Sequence, residues 1–125
     1  RVYGGQRFFE RMEIKDALAY LRLMANRSDD AAFERAVNTP PRGIGGKTLD
    51  EVRRHAREQA VPLWQAAVAL SEGGALPGRA RNALRAFADL VEALQADTAD
   101  QPLHEVFDHV IATSGLRAHY AQESK

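Results

Sequence analysis

Apolar residues recur along this chain at helical spacing, broken at intervals by proline and glycine. Ile14, Ala17, Leu18, Leu21 and Met24 predict a helix over residues 13–25. Asn26-Arg27-Ser28 ends it, with Ser28 placed to cap the next helix and Asp29 and Asp30 suited to that helix's positive end. That second helix, to Val37, buries Ala32, Phe33, Ala36 and Val37. A third, residues 47–60, has a narrow stripe of Leu49, Val52 and Ala56. Pro62 opens a fourth, with Leu63, Trp64, Ala67 and Val68 inward, and Gly73-Gly74 closes it. The clearest stripe is Ala83, Leu84, Phe87, Leu90, Val91 and Leu94, over residues 77–98. Pro102 opens another helix, with Leu103, Val106, Phe107, Val110 and Ile111 inside and Gly115 as its stop; residues 116–122 begin one more turn or helix. Only Arg1-Val2-Tyr3 reads as extended, ended by Gly4-Gly5. The expected fold is all-α: about six helices after a short extended N-terminal segment.

One stretch departs from this rhythm. Residues 38–48 read Asn-Thr-Pro-Pro-Arg-Gly-Ile-Gly-Gly-Lys-Thr, between two helices. The prolines stop the first helix, and the glycines open backbone angles closed to other residues. Ile44 is the one large apolar side chain in the turn and should plug into the core. The result is a tight, helix-hairpin-helix-like turn with amides facing outward, just ahead of a helix N-terminus where phosphate is favoured. Arg42 and Lys47 add positive charge, and Thr48 a hydroxyl in the first turn. The residues alone leave two readings open: a ligand-free interhelical turn, or a backbone-amide contact to duplex phosphate, which positions without reading bases. A Walker-type loop is excluded. Gly46-Lys47-Thr48 spells its tail, but Pro41 stands where the first glycine belongs and a helix precedes the turn.

The 125 residues suffice for one domain or a piece of one; 45% are hydrophobic and 27% charged. The polar start without Met and the uncapped end predict a piece of a longer chain. No apolar run approaches the roughly 18 residues of a membrane helix, and no membrane partner is expected. Lack of cysteine excludes disulfides and thiol chemistry and fits a cytoplasmic parent. Net charge is zero, but residues 1–60 carry 12 Lys/Arg against 9 Asp/Glu, and residues 61–125 carry 5 against 8. Any nucleic-acid contact is therefore local and belongs in the first half. Arg53, Arg54 and Arg57 share an arc after the turn, either as a solvated face or as an extension of a phosphate track. Glu13 and Asp16 read as ion-pairing groups beside Lys15. His55, His104, His109 and His119 are too scattered for a metal site.

Helix, Pro41-Arg42-Gly43-Ile44-Gly45, then helix resembles the duplex-binding Gly-Ile-Gly hairpin of the UvrD/Rep/PcrA-type superfamily 1 DNA helicases. Upstream, Arg1-Val2-Tyr3-Gly4-Gly5-Gln6-Arg7-Phe8-Phe9-Glu10-Arg11 and Glu13 to Arg22 look like the family motif leading into the 2B subdomain, and Asn26 through Thr39 continues the likeness. The match is dense over residues 1–55, weaker beyond, and nearest the UvrD branch, a bacterial helicase of repair. The resemblance implies that residues 1–12 end motor subdomain 2A and that residues 13–125 form part of 2B. It implies a parent that uses ATP and Mg to move 3′ to 5′ along single-stranded DNA, while this portion, without nucleotide-binding motifs, holds no cofactor and has no catalytic residue. Arg42, Gly43, Ile44, Gly45, Lys47, Thr48, Arg53 and Arg54 would carry the DNA contact. Arg7 and Arg11 would meet the motor or single-stranded DNA. The implied partners are a double-stranded/single-stranded DNA junction, the parent's motor subdomains and repair proteins. The alternative is an autoinhibitory or protein-docking module without direct DNA contact.

Overall fold

In the computed structural model, which describes the backbone of residues 2–123 and the side chains of residues 11–122, seven helices follow one another. They are α1 (Val2–Ala25), α2 (Asp30–Ala36), α3 (Gly46–Gln59), α4 (Leu63–Glu72), α5 (Gly78–Thr98), α6 (Leu103–Thr113) and α7 (Leu116–Glu123). The expected all-α fold is found, but the extended start is not: residues 2–12 belong to α1. No strand exists among the described residues to pair with such a segment, whereas a helix satisfies its own backbone polar groups. The expected boundary at residues 12 and 13 falls inside this helix. The side chains of Arg7, Phe8 and Phe9 lie outside the described ones; Arg11 is exposed.

Helix α1 packs along α2, α5, α6 and α7, and α4 bridges α2, α3 and α5. At the centre sits Phe87 of α5. Three rings meet it edge-on: Phe33 of α2 at 5.8 Å, Tyr20 of α1 at 6.3 Å and Trp64 of α4 at 6.3 Å. Such pairs contribute beyond the area they bury. Arg27 stacks its guanidinium over the other side of this cluster, 5.0 Å from the Trp64 ring, and reaches Glu92 at 3.2 Å.

The buried face of α1 differs from the apolar stripe. Asp16, Ala17, Tyr20, Leu23 and Met24 point inward, whereas Ile14 and Leu18 are 45% and 41% exposed. Periodicity treats Asp16 and Tyr20 as polar and assigns them to solvent; both go inside because partners await them. Asp16 accepts a hydrogen bond from Arg35 Nε of α2 at 2.7 Å and another from the Tyr120 hydroxyl of α7. Its ion-pair partner is thus Arg35 and not Lys15. Burial, and then the bond to Asp16, raises the Tyr120 hydroxyl pKa, so it stays a donor. Leu103, expected inside, is 73% exposed at the start of α6.

Caps also come from unexpected places. Asp29, not Ser28, caps α2 by accepting from the Ala32 amide at 3.0 Å. Asp30 reaches across to the Leu63 amide at 3.0 Å and so caps α4, whose own cap residue is Pro62. Helix α3 ends on Ala60 in the left-handed conformation, φ 56°.

Two substitutions test these accounts in urea unfolding. Asp16→Ala strands Arg35 and Tyr120 and is expected to destabilise the fold by about 2–3 kcal/mol, below the full cost of a broken buried pair because Arg35 is partly solvated. Ala60→Gly removes the left-handed penalty and is expected to stabilise by about 1 kcal/mol.

Candidate nucleic-acid interface

The turn between α2 and α3 is anchored from below and open above. Helix α2 stops at Val37, whose amide still bonds to Phe33, and the Thr39 amide closes back on Ala36 at 3.2 Å. The Thr39–Pro40 bond is cis. Pro40 presses on the α6–α7 corner, where Gly115 has φ 92° and a Cβ would lie 3.2 Å from the proline ring. Asn38 Oδ1 then accepts the Arg42 amide at 2.9 Å, drawing the backbone round. Gly43 takes φ 83°, the angle that glycine permits, and Ile44 drops into the core at 1% exposure. The expected pin is therefore in place.

Around that pin Gly43, Gly45, Gly46 and Lys47 are exposed, and a Cβ added to any of the three glycines would meet nothing within 4 Å. Gly45 is the N-cap of α3 and offers no side-chain bond. The first helical amide with an acceptor is that of Leu49, bonded to the Gly45 carbonyl at 3.1 Å. Among the described residues, the amides of Gly43 through Thr48 have no protein acceptor. Those of Gly45 through Thr48 are the four orphan donors of a 14-residue helix, at its positive end. Lys47 stands beside them without an ion pair among the described residues, and half-buried Thr48 lies in the same first turn. A groove of about 750 Å³ runs from this turn past Asp50, Glu51 and Arg54 to Leu76, Pro77 and Ala80.

The arginines are placed differently. Arg42 turns inward: Nη2 donates to the Tyr20 hydroxyl and to the Thr39 carbonyl at 3.2 Å, and its guanidinium lies 5.2 Å from the Phe87 ring. It does not stand beside the glycine amides as an outward cation, contrary to expectation. Arg53 forms a two-pronged pair with Glu34 of α2, at 2.8 and 2.7 Å, and a third bond to Asp50 at 2.8 Å. Arg54 lies between Glu51 and Glu58 on its own helix. The expected phosphate track is thus already engaged by carboxylates, while exposed Arg57 has no such pair among the described residues. Sequence reasoning missed Tyr20, Asn38 and Glu34. Asn38 ahead of a turn carries a local signal; Tyr20 and Glu34 act across 22 and 19 residues and carry none.

No group of three or more His, Asp or Glu side chains among the described residues could hold a metal ion. Gly46-Lys47-Thr48 follows α2 and a proline turn, not a strand, so these residues do not fit the phosphates and magnesium of a bound nucleotide. No described helix is long and apolar enough to cross a membrane.

The hydrogen bonds from Arg53 hold the Glu34 carboxyl below its usual pKa. A depressed carboxylate stabilises the fold above its unfolded pKa, and that contribution fades as pH falls through the folded value. Because the pair is well exposed, the effect should be only a few tenths of a kcal/mol. Glu34→Gln is therefore expected to flatten the loss of stability below about pH 4.5 slightly, read from urea midpoints across pH.

Residues 1–71 match the family described as the UvrD-like helicase C-terminal domain. The chain is 61% identical over 123 residues to DNA helicase II of Escherichia coli and 57% identical to DNA helicase II of Haemophilus influenzae. It is 32% identical over 125 residues to the ATP-dependent DNA helicase PcrA of Staphylococcus aureus. Each match covers 98% of this chain but 17% of the relative, so the chain spans about a sixth of the length of the proteins it matches. An outward-facing glycine turn at the head of α3, within a sequence matched over its first 71 residues, makes this chain a member of the UvrD-like helicase family.

Proposed function

We propose that this chain is the duplex-gripping accessory portion of an ATP-dependent DNA helicase that moves 3′ to 5′ and serves DNA repair or replication. Residues 13–125 would be part of subdomain 2B, with residues 1–12 closing motor subdomain 2A. ATP and Mg belong, in this reading, to motor subdomains elsewhere in the protein. The single observation that carries it is the row of amides from Gly43 to Thr48, unpaired among the described residues, at and just before the head of α3. A phosphate satisfies such donors without any base being read, which suits a machine that must unwind every sequence. Gly43, Gly45, Lys47 and Thr48 make the contact, and Ile44 fixes their height above the core. The relatives' names, DNA helicase II and ATP-dependent DNA helicase, support the same class of substrate.

Arg53 and Arg54 join the grip only by exchanging carboxylate for phosphate. Their pairs are exposed and screened by solvent, so the exchange is feasible. The alternative, an autoinhibitory or docking module, has one feature in its favour: exposed Leu18 of α1 and Leu103 of α6 line one pocket with Leu21 and Phe107.

Titration of labelled duplex and single strand at several salt concentrations separates the two. Duplex preference that weakens with salt is expected; absence of binding to either DNA at low salt favours docking. Gly45 supplies the clean variant, since its φ of −79° suits any residue and its surroundings are open. Gly45→Val should weaken duplex binding about tenfold while lowering stability by no more than about 1 kcal/mol, because valine caps a helix less well than glycine. Gly43 is less suitable, because its positive φ would add strain. Glu34→Gln, which leaves Arg53 with its bond to Asp50, should tighten duplex binding two- to fivefold, or about 0.4–1 kcal/mol, and steepen the salt dependence.

A further inference from the structure

We propose that Arg42 serves the duplex at one remove, as a positioning residue that sets the glycine turn, and that it does so together with Tyr20. The inference rests on the reading of that turn as a phosphate grip. An arginine that holds phosphate presents its planar fork outward. Here the fork faces in. Nη2 donates to the Tyr20 hydroxyl and to the Thr39 carbonyl, and the guanidinium lies over the Phe87 ring at 5.2 Å. Its Nε is buried without an acceptor. Tyr20 is fully buried, and its hydroxyl donates to the same Thr39 carbonyl at 2.6 Å. Burial pushes that hydroxyl's pKa up to about 12, so it remains a donor beside the guanidinium.

Thr39 leads into the turn and Arg42 immediately precedes Gly43. One three-membered knot therefore ties both ends of the Pro40-Pro41 step to α1 and α5. With Ile44 seated two residues on, the backbone between has little freedom, and the direction of the amides follows. Lysine does not substitute, because a compact, strongly hydrated ammonium loses the guanidinium's contact with the Phe87 face. Tyr20 has no surface with which to touch DNA, so any effect of its hydroxyl on binding must pass through the turn.

The test measures duplex affinity by fluorescence anisotropy across a salt series, in the full chain, at a temperature where circular dichroism shows every variant folded. The variants are Tyr20→Phe, Arg42→Gln, Arg42→Lys and the double Tyr20→Phe/Arg42→Gln. Gly45→Val reports on the grip, and Asp16→Ala is a destabilised control remote from the turn. Tyr20→Phe and Arg42→Gln should each weaken duplex binding three- to tenfold, with the double no worse than the stronger single. Arg42→Lys should fail to rescue, the log–log salt slope should stay at the wild-type value, and Asp16→Ala should bind as wild type. A direct phosphate contact instead predicts a slope shallower by about one for Arg42→Gln, rescue by lysine and no effect of Tyr20→Phe; that pattern overturns the proposal. So do additive losses, or an equal loss in Asp16→Ala, which would mark general destabilisation. If Gly45→Val weakens binding and Tyr20→Phe does not, positioning fails alone. If Gly45→Val binds as wild type, the duplex reading fails and takes this inference with it.

Discussion

A guanidinium half sunk in the protein, between the ring of Phe87 and the hydroxyl of Tyr20, is the contact on which the rest of the surface depends. Burial works against its charge and lowers its pKa. What offsets that cost is the aromatic face beneath it and two oxygen acceptors beside it. The same Phe87 gathers Tyr20, Phe33 and Trp64, so the helical core and the exposed turn share one support. A turn of glycines and prolines between two helices would otherwise have few fixed points. Here it has Arg42, Ile44, the Asn38 side chain and the packing of Pro40 on Gly115.

The electrostatics follow from where the arginines go. Arg42 faces the core, Arg35 is drawn to Asp16, and Arg53 and Arg54 are met by four carboxylates. Among the described residues, little unpaired charge is left near the turn besides Lys47, and Arg57 stands at the far end of α3. A surface so compensated does not hold nucleic acid by bulk attraction, in keeping with a net charge of zero. Backbone amides, with Lys47 beside them, then become the outward donors at the head of α3. They cannot be neutralised by a neighbouring carboxylate moving over, and they carry no sequence preference. Both properties suit the proposed hold on a duplex that is about to be opened.

Three helices are tied together at Asp16. Asp16 of α1 takes one bond from α2 and one from α7, joining residues separated by up to 104 positions. A buried carboxylate is tolerated only when its partners are fixed. Tyr20, one turn further along α1, bonds separately to the Thr39 carbonyl.

Local patterning was enough to determine much of this protein. Proline and glycine set the helix limits near 62, 77, 102 and 115, because a missing N–H or a positive φ acts within a residue or two. The stripe Leu84, Phe87, Val91 and Leu94 named the core of α5, and the lone Ile44 between glycines named the pin. Family likeness in residues 1–55 was visible for the same reason: its motifs are contiguous in the chain. What only the tertiary structure decided are the fates of polar side chains. Asp16 and Tyr20 lie on the buried face of α1, Arg42 faces inward, and Glu34 occupies Arg53. A charged or hydroxylated side chain is buried or solvated according to which partner the fold brings to it. Those partners lie 19 to 104 residues away, beyond the reach of any periodicity or local motif.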